Sequence, residues 1–146
     1  MADFGVHVVI DAGKCKNKTN LISEKFIFDL LDGLPGKIGM TKMISPVVKP
    51  WLDKFSTSYQ PGVSGIVMLA ESHISIHTFP DYDYFFMDIF SCRDFDFSAI
   101  KEYISAQFEA EDMQITMLRR GINFPPKVYP DVQESASPIS VDKYTF

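Results

Sequence analysis

"SGIVMLAESHISIHTFPDYDYFFMDIFSC", residues 64–92, decides the fold of this 146-residue chain. Three runs of largely alternating residues follow one another here, and they predict strands over 64–70, 73–79 and 84–92. The "PDYD" between the second and third runs supplies proline and aspartate for a tight turn, which favours an antiparallel hairpin. The centre of the chain is therefore expected to be an antiparallel sheet.

Further strands are predicted on both sides of this region. Residues 5–12, "GVHVVIDA", and residues 112–121, "DMQITMLRRG", predict a first and a last strand. Residues 37–51 contain two prolines, which cannot donate to a sheet ladder, so an extended segment at a sheet edge is expected there. A loop is expected over 52–63.

Two segments have apolar residues at helical spacing. The first helix is expected to begin at Asn20 and to end at Gly33 and Pro35, and the second to begin with Ser98 as its N-cap. The order strand, helix, strands, helix, strand predicts an α+β fold. We expect one domain over 1–146, built as a two-layer α/β sandwich with an antiparallel sheet and helices packed on one face.

The composition limits the class of protein. A net charge of -5 argues against nucleic acid as a partner. No apolar run is long enough for a membrane span and no secretory signal precedes the first strand, so a cytoplasmic protein without membrane contact is expected. The two cysteines, Cys15 and Cys92, are not expected to form a disulfide there.

The second predicted strand carries an unusual set of reactive side chains. Strand alternation puts His73, Ser75, His77 and Phe79 on one face, and that face either meets water or lines a site. From the pattern alone, an exposed polar face is the simplest interpretation.

Two kinds of site compete with that interpretation. A zinc site could use His73, His77 and Cys92, although the closely spaced ligand pairs typical of zinc are missing. A serine hydrolase could use Ser72, His77 and Asp88, although no G-x-S-x-G elbow is present.

The tract from Gly62 to Cys92 resembles the central segment of the prokaryotic S-adenosylmethionine decarboxylases, a pyruvoyl-dependent family. The family pattern E-S-H-x-S/T-I-H-T occurs as "ESHISIHT", residues 71–78, and the pattern D-x-F-x-C as "DIFSC", residues 88–92. Every expected reactive group stands in register over about thirty residues, which makes a chance match improbable.

The resemblance implies a zymogen that undergoes autocatalytic cleavage between Glu71 and Ser72. The Ser72 hydroxyl would attack the Glu71 carbonyl carbon and turn the amide into an ester. β-Elimination and hydrolysis would then leave a self-generated pyruvoyl group at residue 72, separating residues 1–71 (the beta chain) from residues 72–146 (the alpha chain). The pyruvoyl carbonyl would form a Schiff base with the substrate amine and accept the electrons released when carbon dioxide leaves.

The resemblance also assigns roles to three further residues. His77 is expected to donate and accept protons during processing, which suits a side chain whose pKa normally lies near working pH, and Ser64 is expected to be its hydrogen-bonding partner. Cys92 is expected to return a proton to the substrate carbon. Cys15 is expected to be an incidental thiol, and no metal is expected.

The substrate-binding positions depart from the family pattern. Asp81 stands where the family commonly has a glutamate that resembles a clamp for the ribose hydroxyls, and Phe79 stands where it often has tryptophan. Both are expected to contact substrate. Phe55 or Tyr59 could stack on adenine, as an upstream aromatic does in many relatives.

The function that the resemblance implies is decarboxylation of S-adenosylmethionine, which yields the aminopropyl donor for spermidine biosynthesis. Family members build the active site near a subunit interface, so a homo-oligomer, at least a dimer, is expected. Two alternatives stay open from the sequence. The same pyruvoyl machinery could decarboxylate L-ornithine or L-arginine, or the chain could be an unprocessed regulatory or structural homologue without activity.

Overall fold

The computed structural model describes residues 5–52, 60–125 and 144–145. Within them, one sheet contains seven strands in the order β2-β3-β4-β5-β1-β6-β7, and every neighbouring pair is antiparallel. The strands are β1 (Gly5–Cys15), β2 (Val47–Trp51), β3 (Gly62–Leu69), β4 (Ser72–Phe79), β5 (Tyr84–Ser91), β6 (Ala110–Arg120) and β7 (Tyr144–Thr145). The helices are α1 (Lys18–Ile22), α2 (Glu24–Lys37) and α3 (Phe97–Phe108).

The helices cover one face of the sheet. Every second side chain of the central strands points toward them and is fully buried, as Ile74, Ile76 and Ile89 are. These side chains share one core with Leu31 of α2 and Phe108 of α3. The predicted α+β two-layer sandwich is confirmed.

Close packing of α2 on β3 fixes the segment that follows the helix. A Cβ at Gly65 would lie 2.7 Å from Leu31 Cδ1, so the helix can approach this closely only over a glycine. The chain after α2 then runs past the β3–β4 turn, where the Ala70 N–H donates to the Thr41 carbonyl at 3.0 Å. This contact shapes one side of the cavity described below.

The first predicted helix is wrong in its boundaries. The structure has two helices there, because the Ser23 hydroxyl accepts the Phe26 N–H and starts α2 at Glu24. Neither Gly33 nor Pro35 ends α2, which continues to Lys37. Pro35 removes one backbone N–H bond from the last turn, and the helix ends two residues later.

Three other boundaries also differ from the prediction. The N-cap of α3 is Asp96, not Ser98, because its carboxylate accepts the N–H groups of residues 98 and 99. β1 continues to Cys15, and β3 starts at Gly62 inside the predicted loop. The edge position of β2 and the hairpin at 80–83 are confirmed.

The opposite face of the sheet, which we call the open face, has no helix over it among the described residues. It carries large apolar side chains that are 43–50% exposed, namely Ile66, Met68 and Phe86. Large apolar side chains exposed on one face of a sheet are typical of interaction surfaces in soluble proteins. None of the helices in the described ranges is long and apolar enough to span a bilayer.

Candidate active site

The turn between β3 and β4 holds its backbone in an unfavourable conformation. Leu69 pairs with Ser72, which leaves Ala70 and Glu71 as the two turn residues. Glu71 has a φ of 71°, in the left-handed region that costs a residue with a Cβ about 1 kcal/mol. The Glu71–Ser72 peptide bond therefore directly follows a strained residue.

Ser72 and Cys92 meet at this turn. Ser72 begins β4 and is only 7% exposed, and its Oγ accepts a hydrogen bond of 2.9 Å from the backbone N–H of Cys92. Cys92 follows the last residue of β5 and is a partly exposed free thiol. Cys92 and Glu71 both line an open cavity of about 230 Å³, whose other wall is the segment 39–41.

Ser64 and His77 meet at the other end of the hairpin. They are partners across β3 and β4, and Ser64 Oγ lies 2.7 Å from His77 Nδ1. His77 is exposed on the open face. The hydrogen bond orients the imidazole and leaves its Nε2 facing away from the serine.

These two pairs are far apart within one chain. His77 stands five residues after Ser72 on a straight strand, a separation of roughly 17 Å at the usual rise per residue. The two side chains also point to opposite faces, because Ser72 alternates with His73, as Ile76 does with His77. The chain therefore brings the predicted site residues together as two half-sites: Ser72 with Cys92, and Ser64 with His77.

The aromatic surroundings of the second half-site include a residue that the sequence analysis missed. The ring centroid of Phe79 lies 5.0 Å from that of Trp51 and 5.4 Å from that of Phe86. Trp51 and Phe79 line a small cleft with Asp81, and the buried Trp51 Nε1 has no hydrogen-bond partner within the described ranges. The only tryptophan of the chain was a signal that could have found this cleft.

The two aromatic residues expected to stack on adenine, Phe55 and Tyr59, lie outside the described residues.

Asp88 belongs to a different cluster on the open face. It lies 3.2 Å from His7 Nε2 and accepts a bond of 3.4 Å from the Ser75 hydroxyl. Arg120 Nη1 lies 3.1 Å from His7 Nδ1, and the pKa of the neighbouring His73 is lowered, first by burial and then by His7. Sequence analysis missed His7 and Arg120, although the alternation of residues 5–12 already placed His7 outward.

The zinc and hydrolase interpretations are both wrong for this chain. Ser72 points away from the face that carries His77 and Asp88, so these three cannot form a triad. His73 and His77 are four strand residues apart, about 13 Å, too far to share one ion. Among the residues that the structure describes, no group of three or more ligating side chains could hold a metal.

The two cysteines differ in how deeply they are buried. Cys15 is 1% exposed, and burial followed by the charge of Asp83 raises the pKa of its thiol to about 11. Such a thiol is neither accessible nor ionised at neutral pH. Cys92, with its access to the cavity, is the thiol that can take part in chemistry.

Comparison with known proteins points to one family. The model of the family described as S-adenosylmethionine decarboxylase matches residues 6–121. The S-adenosylmethionine decarboxylase proenzyme of Pyrococcus furiosus is 32% identical over 123 residues, which cover 84% of this chain and 82% of the relative. A protein of the same description from Moorella thermoacetica is 40% identical over 68 residues, or 45% of this chain and 54% of the relative.

The fold is also similar to a solved structure. The crystal structure of the adenosylmethionine decarboxylase from Aquifex aeolicus superposes with a TM-score of 0.68 at 24% sequence identity. The superposition covers 94% of this chain and 99% of the other. At that identity the structural similarity supports the fold, and the sequence matches support membership of the family.

Proposed function

The chain belongs to the S-adenosylmethionine decarboxylase family, and on that premise we propose how its residues make and run the active site. The protein is a decarboxylase whose substrate is S-adenosylmethionine, and its product is the aminopropyl donor for spermidine synthesis. The family match favours this substrate over ornithine and arginine, and it favours an enzyme over an inert homologue.

One observation carries the processing mechanism: a buried serine hydroxyl is held directly after a strained residue. The Ser72 hydroxyl attacks the carbonyl carbon of Glu71, the bond from that carbon to the Ser72 nitrogen breaks, and an ester replaces the amide. The exchange is uphill for an ordinary peptide. Breaking the peptide bond after Glu71, whose φ is 71°, lets the turn relax in the ester and offsets part of that cost.

Elimination from the ester then separates the two chains. A base removes the Cα hydrogen of residue 72, the Cβ–Oγ bond breaks, and residues 1–71 leave with a new carboxylate at Glu71. The remaining dehydroalanine takes up water and loses ammonia to become the pyruvoyl group of residues 72–146. That group would supply an electrophilic carbonyl for the substrate amine and an electron sink for decarboxylation.

The surroundings of residue 72 fit this group. The site is almost closed to water, since Ser72 is 7% exposed, and its neighbours Glu71 and Cys92 line the open cavity of about 230 Å³. We propose that substrate enters through this cavity and that the Cys92 thiol, which lines it, returns a proton to the α-carbon after carbon dioxide has left.

The second half-site requires a second copy of the chain. His77 and Ser64 are too distant from Ser72 to act on it in the same chain, yet His77 lies on the open face beside exposed Phe86. We propose that two chains pack open face against open face, burying this apolar surface. Each copy would then bring its His77, oriented by Ser64, to the β3–β4 turn of the other, where the Glu71–Ser72 bond lies at the strand end, and would act there as the proton donor and acceptor for processing.

The cleft beside His77 is proposed as the nucleoside site. Asp81 would bind the ribose hydroxyls, and Trp51 and Phe79 would form an apolar wall for the adenine ring.

Product analysis with intact-mass measurement tests the proposal. The mature protein should separate into residues 1–71 and 72–146, with residue 72 as a pyruvoyl group, and should release carbon dioxide from S-adenosylmethionine but not from ornithine or arginine. Ser72→Ala should stay uncut and inactive. The matched control, Ser75→Ala, removes a hydroxyl from the same strand and should be cut normally. Activity in uncut protein would refute the proposed cofactor.

A further inference from the structure

The turn after β5 contains a hydroxyl that the proposed mechanism does not use. Ser91 is completely buried, and its Oγ donates to the Arg93 carbonyl at 2.6 Å while it accepts the Arg93 N–H at 3.1 Å. Two bonds to the same residue close the backbone into a compact turn with Cys92 at its tip. Met40 contacts the hydroxyl from the other side, with its sulfur at 3.7 Å.

This turn determines where the backbone of Cys92 points. β5 ends at Ser91, so the Cys92 N–H is not part of a sheet ladder. It is donated instead to Ser72 Oγ at 2.9 Å. The oxygen that receives this bond is the atom that the proposed mechanism attaches to Glu71 and later expels.

We propose that the Ser91 hydroxyl is a positioning residue for self-processing: it holds the Cys92 N–H against Ser72 Oγ, and this N–H stabilises that oxygen as the leaving group in the elimination step. The inference rests on the proposed function and refines it. Cys92 thereby has two roles, one for its backbone N–H before maturation and one for its thiol afterwards.

The N–H donor has a limited role in the first step. A donor on one lone pair of Ser72 Oγ fixes the side-chain rotamer, which leaves the second lone pair for the Glu71 carbonyl and the hydroxyl hydrogen for a base. It does not increase the negative charge on the attacking oxygen, so it contributes orientation only.

The same donor is well placed for the second step. When the Cα–H of residue 72 is removed, its electron pair forms the Cα=Cβ bond, and the pair of the Cβ–Oγ bond moves onto Oγ. That oxygen departs as one of the two carboxylate oxygens of Glu71. Because the side chain of residue 72 is only 7% exposed, water cannot readily solvate the developing charge, and a fixed N–H can.

The Ser91→Ala variant tests the role of the hydroxyl. Without its two bonds the turn loses its closure and the Cys92 N–H is no longer held on Oγ. We expect ester formation to proceed and elimination to slow about 10-fold, less than the 10²–10³ seen when an oxyanion donor is deleted, because the N–H is displaced rather than removed. The ester should therefore accumulate.

Hydroxylamine reveals the ester directly. It cuts an ester at this position into residues 1–71 bearing a hydroxamate and residues 72–146 beginning with an unmodified serine, and mass spectrometry separates these from the pyruvoyl product. A time course from freshly purified Ser91→Ala should show these species well above the wild-type level. This readout does not depend on decarboxylase activity.

Two variants separate the effect of the Ser91 hydroxyl on processing from the effect of side-chain packing. Ser91→Thr keeps the hydroxyl and should restore elimination. Ser105→Ala is the matched control, because it removes a hydroxyl that donates to a backbone carbonyl, Ala110 at 3.1 Å, on the far side of the domain; it should process like wild type. Should Ser91→Ala fail to fold in a thermal unfolding assay, Ser91→Cys fills the same volume with a weaker hydrogen-bonding group and should also accumulate ester.

The outcomes distinguish this inference from the function on which it rests. Wild-type elimination rates without ester in both Ser91→Ala and Ser91→Cys would overturn the role of Ser91. Equal accumulation in the threonine and alanine variants would assign the effect to packing and overturn it as well. If the wild-type chain itself is never cut before residue 72, the proposed function fails instead.

Discussion

The two ends of β4 differ in nearly every physical respect. The Ser72 end is buried, follows a strained residue and is held by backbone hydrogen bonds. The His77 end is exposed, lies on a face that no described helix covers and pairs across the sheet with Phe86, which contacts Phe79. The proposed chemistry breaks a covalent bond at the first end, and the proposed assembly covers the second.

The contrast teaches that a strand can separate the parts of an active site instead of collecting them. A rigid strand holds residues 72 and 77 roughly 17 Å apart, so no side-chain rotation can join them. Under the proposed function, one chain alone would lack a complete site. Two copies packed face to face would each complete the other, and activity would then depend on assembly.

The largest effect is expected when the Ser72 and His77 substitutions are placed on different chains. Ser72→Ala alone cannot be cut, and His77→Ala alone should be cut about 100-fold more slowly, because it lacks the proton donor and acceptor. Co-expressed, the intact His77 of the first variant should serve the intact Ser72 of the second. We expect cleavage of the tagged His77→Ala chain to return, as seen by denaturing electrophoresis.

The control and the contrary outcome follow from the same geometry. Ser75→Ala lies on the same strand but retains both half-sites, so it should be cut without a partner variant. If mixing restores nothing although the two chains co-purify, the half-sites of different copies do not meet. If His77→Ala is cut at the wild-type rate by itself, His77 has no part in processing.

A smaller effect is expected when the two functions of Cys92 are separated. Cys92→Ala removes the thiol but keeps the backbone N–H on Ser72 Oγ, so the chain should be cut normally while turnover falls about 100-fold through loss of the proton donor. Cleavage is measured by intact mass and turnover by release of carbon dioxide. Unchanged turnover would remove the thiol from the mechanism.

Cys15→Ala is the matched control for the thiol. Cys15 is 1% exposed in the core, so its loss should lower the free energy of unfolding by about 1 kcal/mol and leave turnover per folded molecule unchanged. Alkylation should show the same contrast. At pH 8 an iodoacetamide reaction should modify Cys92 first, because burial raises the pKa of Cys15 to about 11.

The fold was largely predictable because its central strands alternate cleanly. β3, β4 and β5 begin and end within two residues of the predicted limits, and the buried set follows from alternation. The ends of the helices were harder to predict. Asp96 and Ser98 are both good caps by type, and only the backbone geometry decides that Asp96 accepts the two free N–H groups.

The motif supplied the candidate reactive residues, but their distribution between two half-sites was overlooked. Alternation already placed Ser72 with Ile74 and away from His77, yet closeness in sequence suggested closeness in space. The contact of His7 with Arg120 and Asp88 could not be foreseen, since it depends on β1 lying between β5 and β6. Sheet order is long-range information that local patterns do not contain.

The smallest predicted effect concerns the aromatic cleft of the second half-site. Trp51→Leu removes the ring beside Phe79, and loss of one base-stacking partner should raise KM for S-adenosylmethionine about 10-fold. The value of kcat should change little, because Trp51 lies at the end of the hairpin away from residue 72.

Trp51→Phe keeps an aromatic face and should recover most of the affinity. Phe28→Leu, which removes an exposed ring from α2, should leave KM unchanged. Equal losses of kcat in both Trp51 variants would mean that the ring supports the fold or the assembly, and the adenine would then have to bind elsewhere.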